Sequence, residues 1–464
     1  SLMTSQVNAL TTELMAQLLP AQAAALTTAQ VKSLDTSLLV AISTSAVNAL
    51  TSVQLRAMET AQIEALATDQ IRALSESQVP QLRTAQIQAL ETQDLVVLGT
   101  EQIVKLTADQ VKALTTAQIE SIRTAQVRAL SSVQISALQT SQVAALGTHQ
   151  VAAMASAQIG GLTTAQIRAL DPDQIKSLQA DQLGGWSAED MRALGTDKVT
   201  LLTTAQVAAI ETADLAALGT AQAAALTTDQ VVALGTAQAA ALSSAQVVAL
   251  TTAQVTALET ADLAAMGTAQ VAAMTTAQVA ALTTAQVVAL GTAQAAALTT
   301  AQVAKLTTAQ VAALETADLA AMSTAQVAAL TTAQAAALTT AQVVALGTAQ
   351  AAALGTAQVA AMSTAQVAAL ETADLAAMST AQVSKLTTAQ AAALTTGQVV
   401  ALGTAQAAAL TTAQVAALTT AQVAALETVD LAAMTTAQVG KLTTAQAAAL
   451  TTAQVVALGT AQAA

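Results

Sequence analysis

The chain has 464 residues with no cysteine, phenylalanine or tyrosine, one histidine, one tryptophan and three prolines. Without cysteine there is no disulfide framework, no thiolate nucleophile and no cysteine-ligated metal. Without aromatic bulk an ordinary thick globular core is excluded, because such cores draw much of their volume from Phe, Tyr and Trp. Charge is scarce as well: Asp, Glu, Lys and Arg make up 9% of the residues and sum to −13. An acidic, charge-poor chain does not suit a phosphate backbone, so no nucleic-acid partner is expected. Although 54% of residues are hydrophobic, Thr and Gln interrupt every run before it reaches the roughly 20 apolar residues of a membrane span. The opening residues, Ser1-Leu2-Met3-Thr4-Ser5-Gln6, have neither the basic nor the apolar region of a signal peptide.

What is present is one sentence said over and over. From Met3 onward the chain runs as 57 complete octads and a six-residue remainder, without insertion or deletion, on the consensus Thr-Thr-Ala-Gln-Val-Ala-Ala-Leu. A fixed short period marks a solenoid or array. It replaces the two to four globular domains that the length would otherwise suggest. Because the chain stops in mid-octad, it reads as a window of a longer repeat protein, and targeting signals are expected outside it.

Counting from the residue after Leu, position 8 is Leu, Met, Ile or Trp, and position 5 is Val, Ile, Leu, Met or Ala. A spacing of three puts both on one face of a helix, so they are the expected core. Of 28 acidic residues, 26 fall at positions 1 to 4, and 12 of 15 basic residues fall at positions 6 or 7. Acids early and bases late is the order a helix dipole favours. Thr-x-x-Gln at positions 1 to 4 is a capping box, and Asp171-Pro172-Asp173-Gln174 adds proline at the first helical position. Gly at position 1, as in Gly219 and Gly291, is expected to end the preceding helix in a left-handed conformation.

One continuous helix fails on the period, because eight residues overshoot two turns by about 80° and would wind the Leu/Val stripe around the axis. A strand would put positions 5 and 8 on opposite faces and is poorly served by so much Ala. The expected fold is therefore an all-α solenoid of helices about 7 residues long, one per octad. Helices so short persist only by stacking on neighbours. Three per coil, a triangular prism of about 24 residues per turn, is the economical closure, with four the main competitor. At one helix diameter of rise per coil the prism would be on the order of 190 Å long.

Residues 1–202 hold diverse octads and 203–464 nearly identical ones, read as two stretches of one repeat domain. Leu14, Leu38 and Ala46 displace the position-4 Gln, and Gly160-Gly161 and Gly184-Gly185-Trp186 weaken two helices. The stretch 155–200 is accordingly the expected kink. A second period lies over the first. Glu-Thr-(Ala/Val)-Asp octads begin at Glu211, Glu259, Glu315, Glu371 and Glu427, at intervals of 48, 56, 56 and 56 residues. In a 24-residue coil these octads would move from face to face; at three and a half octads per coil they would align.

Two carboxylates on one helical turn make Glu211/Asp214, Glu259/Asp262, Glu315/Asp318, Glu371/Asp374 and Glu427/Asp430 the sharpest calcium candidates. Calcium wants six to eight oxygens, more than such a pair supplies, so the plainer expectation is acids at helix starts with Asp in the place of Gln. His149 has neither Cys nor a second ligand nearby and is expected on the solvent side. No nucleophile–base–orienter set can be assembled, so no catalysis, cofactor, metal or small-molecule substrate is expected.

The Leu-Thr-Thr-Ala-Gln-Val-Ala-Ala-Leu unit resembles octapeptide tracts of very large bacterial surface or secreted, adhesin-like proteins, over essentially the whole chain. That resemblance implies an extracellular stalk, fibre or sheath, with adhesive or secretion domains elsewhere, and it brings no catalytic or binding motif. The expected role is a structural spacer or fibre subunit that self-associates through flat Thr/Ala/Gln faces. A repetitive array for calcium, glycan or ice, or an intracellular scaffold, are the alternatives.

Overall fold

The protein is described by a computed structural model covering residues 3–459 and 462. These contain 56 α-helices, one 3-10 turn at Val79–Gln81 and no strand. Each helix spans four to six residues rather than seven, typically positions 2 to 7, as in Thr332–Ala337. The corner consumes the rest. Leu338 at position 8 (φ −56, ψ 137) and Thr339 at position 1 (φ −73, ψ 157) are both extended, and that pair of residues turns the chain into the next helix. Ordinary L-residues adopt these angles without strain, so the corner needs no glycine.

The left-handed conformation expected at position 1 is not found at Gly219 or Gly291. Gly219 (φ −67) and Gly291 (φ −84) are extended like the threonines they replace. Among the described residues, positive φ occurs only at Gly195 (φ 79). There Leu194 stays helical (φ −58, ψ −32) instead of extended. Position 4 of that octad is Lys198. Lys198 Nζ donates to Arg168 O in the neighbouring coil, as glutamines at this position do, but it has no oxygen to hold the backbone N–H of Gly195.

By contact the chain divides into two compact units, Ser1–Leu234 and Gly235–Ala464. Each is a solenoid whose core is built from positions 5 and 8, for example Leu55 and Met58 in the first and Val343 and Leu346 in the second, all at most 3% exposed. Helices in closest contact lie three octads apart, as Thr308–Ala313 does against Thr332–Ala337. Side-chain bonds reach further. Gln54 Nε2 donates to Ala23 O (2.9 Å) and Leu26 O (2.6 Å), 31 and 28 residues back. In the second unit Gln342 Nε2 donates to Val311 O and Leu314 O, both at 2.8 Å, at the same separations.

Each octad thus straddles two octads of the coil before it, in the manner of staggered brickwork, and a coil closes at about 28 residues. Closure at three helices holds for the nearest backbone packing and not for the hydrogen-bond register, which gives three and a half octads per coil. The stagger follows from the extended corner. The position-8 carbonyl points away from its own helix, and it is met by the amide of a helix that starts beside the corner rather than directly over it.

The stretch 155–200 departs from regularity in a particular way. Helices Ser156–Ile159 and Ala180–Leu183 are cut to four residues. Their glycines are not loose: a Cβ on Gly160 would lie 2.1 Å from Gly185 O, and one on Gly185 would lie 2.2 Å from Ser156 O. These residues let two coil backbones touch, a close approach only glycine allows. Trp186 fills the adjoining core position, 4% exposed, with its indole Nε1 unpartnered.

Candidate functional site

Position 4 carries the recurring polar chemistry of the octad. Its Gln was legible as a capping residue, and that half is present: Gln342 Oε1 accepts from Thr339 N (2.8 Å) while Thr339 Oγ1 accepts from Gln342 N (3.1 Å). The other half was not anticipated. The same side chain is buried, 1% exposed for Gln342, and its Nε2 staples the coil to its neighbour. A signal was available. Gln persists where position 1 is Gly or Ala, as at Gly347 and Ala155, where no hydroxyl exists to complete a capping box. The surface consequently differs from expectation: the faces are Thr and Ala, at positions 1, 2, 3 and 6, and not Thr, Ala and Gln.

The Glu/Asp pairs split between surface and interior. Glu259, Glu315, Glu371 and Glu427 are exposed N-cap residues whose side chains accept no capping bond. Their partners Asp262, Asp318, Asp374 and Asp430 take the place of Gln and are 1–2% exposed, each with Oδ2 unpartnered. In the first unit Asp94 repeats this with both oxygens unpartnered, whereas Glu211 is exposed and Asp214 only half-buried. The two carboxylates of a pair therefore do not present one solvent-facing ligand turn. Burial is the main cause that raises the carboxyl pKa of Asp94, Asp214, Asp262, Asp318, Asp374 and Asp430, and the neighbouring position-1 glutamate raises it further. For Asp374 and Asp430 the hydroxyls of Thr348 and Thr404 act against that rise.

Among the described residues no group of three or more His, Cys, Asp or Glu could hold a metal. His149 is exposed, its ring beside Gly147. A surface depression of about 650 Å³ is open and lined by Glu64, Glu91, Gln88, Gln93 and Thr115. Ion pairs between coils are few: Lys32–Glu59 at 2.8 Å, which lowers the Glu59 pKa, and Lys105–Glu76 at 3.7 Å. No described helix is long and apolar enough to cross a membrane.

Comparison with curated proteins returns no match. The ALTTAQ repeat family model matches fourteen overlapping stretches that together cover residues 52–84, 87–187 and 207–460. The unmatched stretch 188–206 contains the irregular Leu194–Gly195 corner, and the unmatched start contains Leu14, Leu38 and Ala46 in place of the stapling Gln. With its octads, its Gln staples and this coverage, the chain belongs to the ALTTAQ repeat family.

Proposed function

We propose that the protein is a structural repeat, an extracellular spacer or fibre subunit of a bacterial surface, whose repeat number sets reach and whose faces associate side by side. The observation that carries this is the division of labour within the octad. Positions 4, 5 and 8 are spent on coil-to-coil bonding, and positions 1, 2, 3 and 6 present mostly uncharged Thr and Ala repeated from coil to coil. Such a surface has little charge to repel a second copy and small side chains that permit close contact. Near-identical octads suit a spacer, which needs no unique residue. Nothing in the family match argues for catalysis, and the reading assigns the protein no enzymatic role.

Electron microscopy with image averaging and sedimentation across a concentration series test it together. Ordered filaments or bundles support lateral association, and Thr→Lys changes along one Thr/Ala face should disperse them. A protein that stays monomeric at every concentration is a spacer without fibre assembly. Detection of the full-length chain only inside cells would overturn the extracellular role.

A further inference from the structure

In an ordinary octad Gln donates through Nε2 to the position-8 carbonyl 28 residues back. At Asp318, Asp374 and Asp430 that donor is gone, because an ionised carboxylate only accepts. The carbonyls it would have served, Leu290 O, Leu346 O and Leu402 O, receive no other hydrogen bond. An orphaned oxygen on each side of a buried gap is a costly arrangement. It also recurs: in the second unit these octads are 56 residues apart, two coils of 28, so the acids align along one side of that unit at every second coil.

The packing around them is adjusted to a shorter side chain. Among the tightest helix pairs of the second unit are Thr292–Ala297 with Thr316–Ala321, Thr348–Ala353 with Thr372–Ala377, and Thr404–Ala409 with Thr428–Ala433. Thr236–Ala241 with Thr260–Ala265 is the fourth. The second helix of each pair carries the Asp, and the first begins at a Gly corner (Gly291, Gly347, Gly403 and Gly235) and has Ala, not Val, at position 5. Ala295, Ala351 and Ala407 make room for Leu319, Leu375 and Leu431. Ala at position 5 of the first helix lets the two helices of each pair pack closely beside the acid.

We propose that Asp318, Asp374 and Asp430 are proton-operated latches: on taking a proton from solvent, each carboxyl donates to the neighbouring coil the hydrogen bond that Gln donates elsewhere. Deprotonation returns the proton to solvent and leaves two oxygens opposed. Among the described residues the only charged group facing each latch is the glutamate of its own octad, Glu315, Glu371 or Glu427. The helices packed against Asp318, Asp374 and Asp430 on both sides, Thr292–Ala297 and Thr340–Val344, Thr348–Ala353 and Thr396–Val400, and Thr404–Ala409 and Thr452–Ala457, carry no charge. A cation in place of the proton would find a single carboxylate and a few neutral oxygens, which is thin coordination for calcium.

The sign follows from linkage. A carboxyl whose pKa is raised on folding binds its proton more tightly in the folded state. Its octad is therefore most stable below the unfolded value, loses stability as pH rises from there through the raised folded value, and is level above it. The test compares thermal midpoints, by circular dichroism, of the full chain and of a variant with Asp318, Asp374 and Asp430 all changed to Gln. Gln already occupies this position in most octads. The variant should melt several degrees higher at about pH 7.5, with the gap closing toward about pH 4.

A gap independent of pH overturns the proposal. So does stabilisation of the unaltered chain by calcium at neutral pH that the variant lacks, since a cation would then hold the site. Infrared titration of the unaltered chain reads the same groups without a variant. A buried protonated-carboxyl band that titrates above the unfolded aspartate range supports the latch, and titration at or below that range overturns it.

Discussion

Gln342 is an acceptor for its own helix start and a donor to the coil before it, so a single substitution separates what those bonds hold. Gln342→Leu keeps the bulk and the helix, but it strips the partner from Thr339 N–H and from Leu314 O. Each orphaned buried group costs about 1–3 kcal/mol. The expected result is faster hydrogen exchange at Thr339 and its neighbours, with distant octads unchanged; unchanged protection there would show the staple to be dispensable. The glycines give a second contrast at this scale. Gly185→Ala drives a methyl to 2.2 Å from Ser156 O and should destabilise by about 1–3 kcal/mol or more. Gly291→Ala meets nothing within 4 Å at φ −84 and should stabilise by about 0.4–1 kcal/mol, by restricting the unfolded chain. Denaturant unfolding of the two variants side by side decides whether glycine here is demanded by contact or merely tolerated.

The element of this fold is a helix too short to exist alone, plus a two-residue extended corner. At most corners the acceptor at position 4 pins the first N–H of the next helix, although the corners before Leu14, Leu38 and Ala46 stay extended without one. The octad with Lys198 at that position is the one whose corner runs helical and then left-handed. Lys198→Gln should therefore raise amide protection across 193–200 and lift local stability by about 0.5–1.5 kcal/mol, the worth of an ordinary hydrogen bond. No change in exchange at Gly195 would mean that the corner is set by Leu194 and Ala193, both buried. Glu at position 1 weakens the element in a milder way, because its side chain makes no cap bond in any of the acidic octads of the second unit.

At the scale of the whole molecule, stability is a sum of octads and their neighbours. Contacts reach only about one coil along the chain, so distant coils have no direct means of melting together. Trp186, buried in the first unit at 4% exposure, reports locally, whereas circular dichroism averages every helix. The fluorescence and dichroism transitions should not coincide in urea; superimposable curves would show a cooperativity that nearest-neighbour stacking does not provide. With a net charge of −13 and a surface of Thr and Ala, salt should have little effect on the transitions, since few exposed charges are close enough to repel.

The period, the apolar spacing of positions 5 and 8 and the ordering of acids before bases determined, by themselves, that each octad is one short helix with its core on one side. These are local constraints, set by helix geometry and by the helix dipole. Several matters were decided only by tertiary structure. The coil closes at about 28 residues because an extended corner presents its carbonyl to a staggered neighbour, and no count of residues within an octad contains that offset. Gln is interior for the same reason: its amide has a partner only when another coil lies against it. Whether Asp374 is a surface cap or a buried acid likewise depends on a corner 27 residues earlier, at Gly347, a separation that local chemistry does not span.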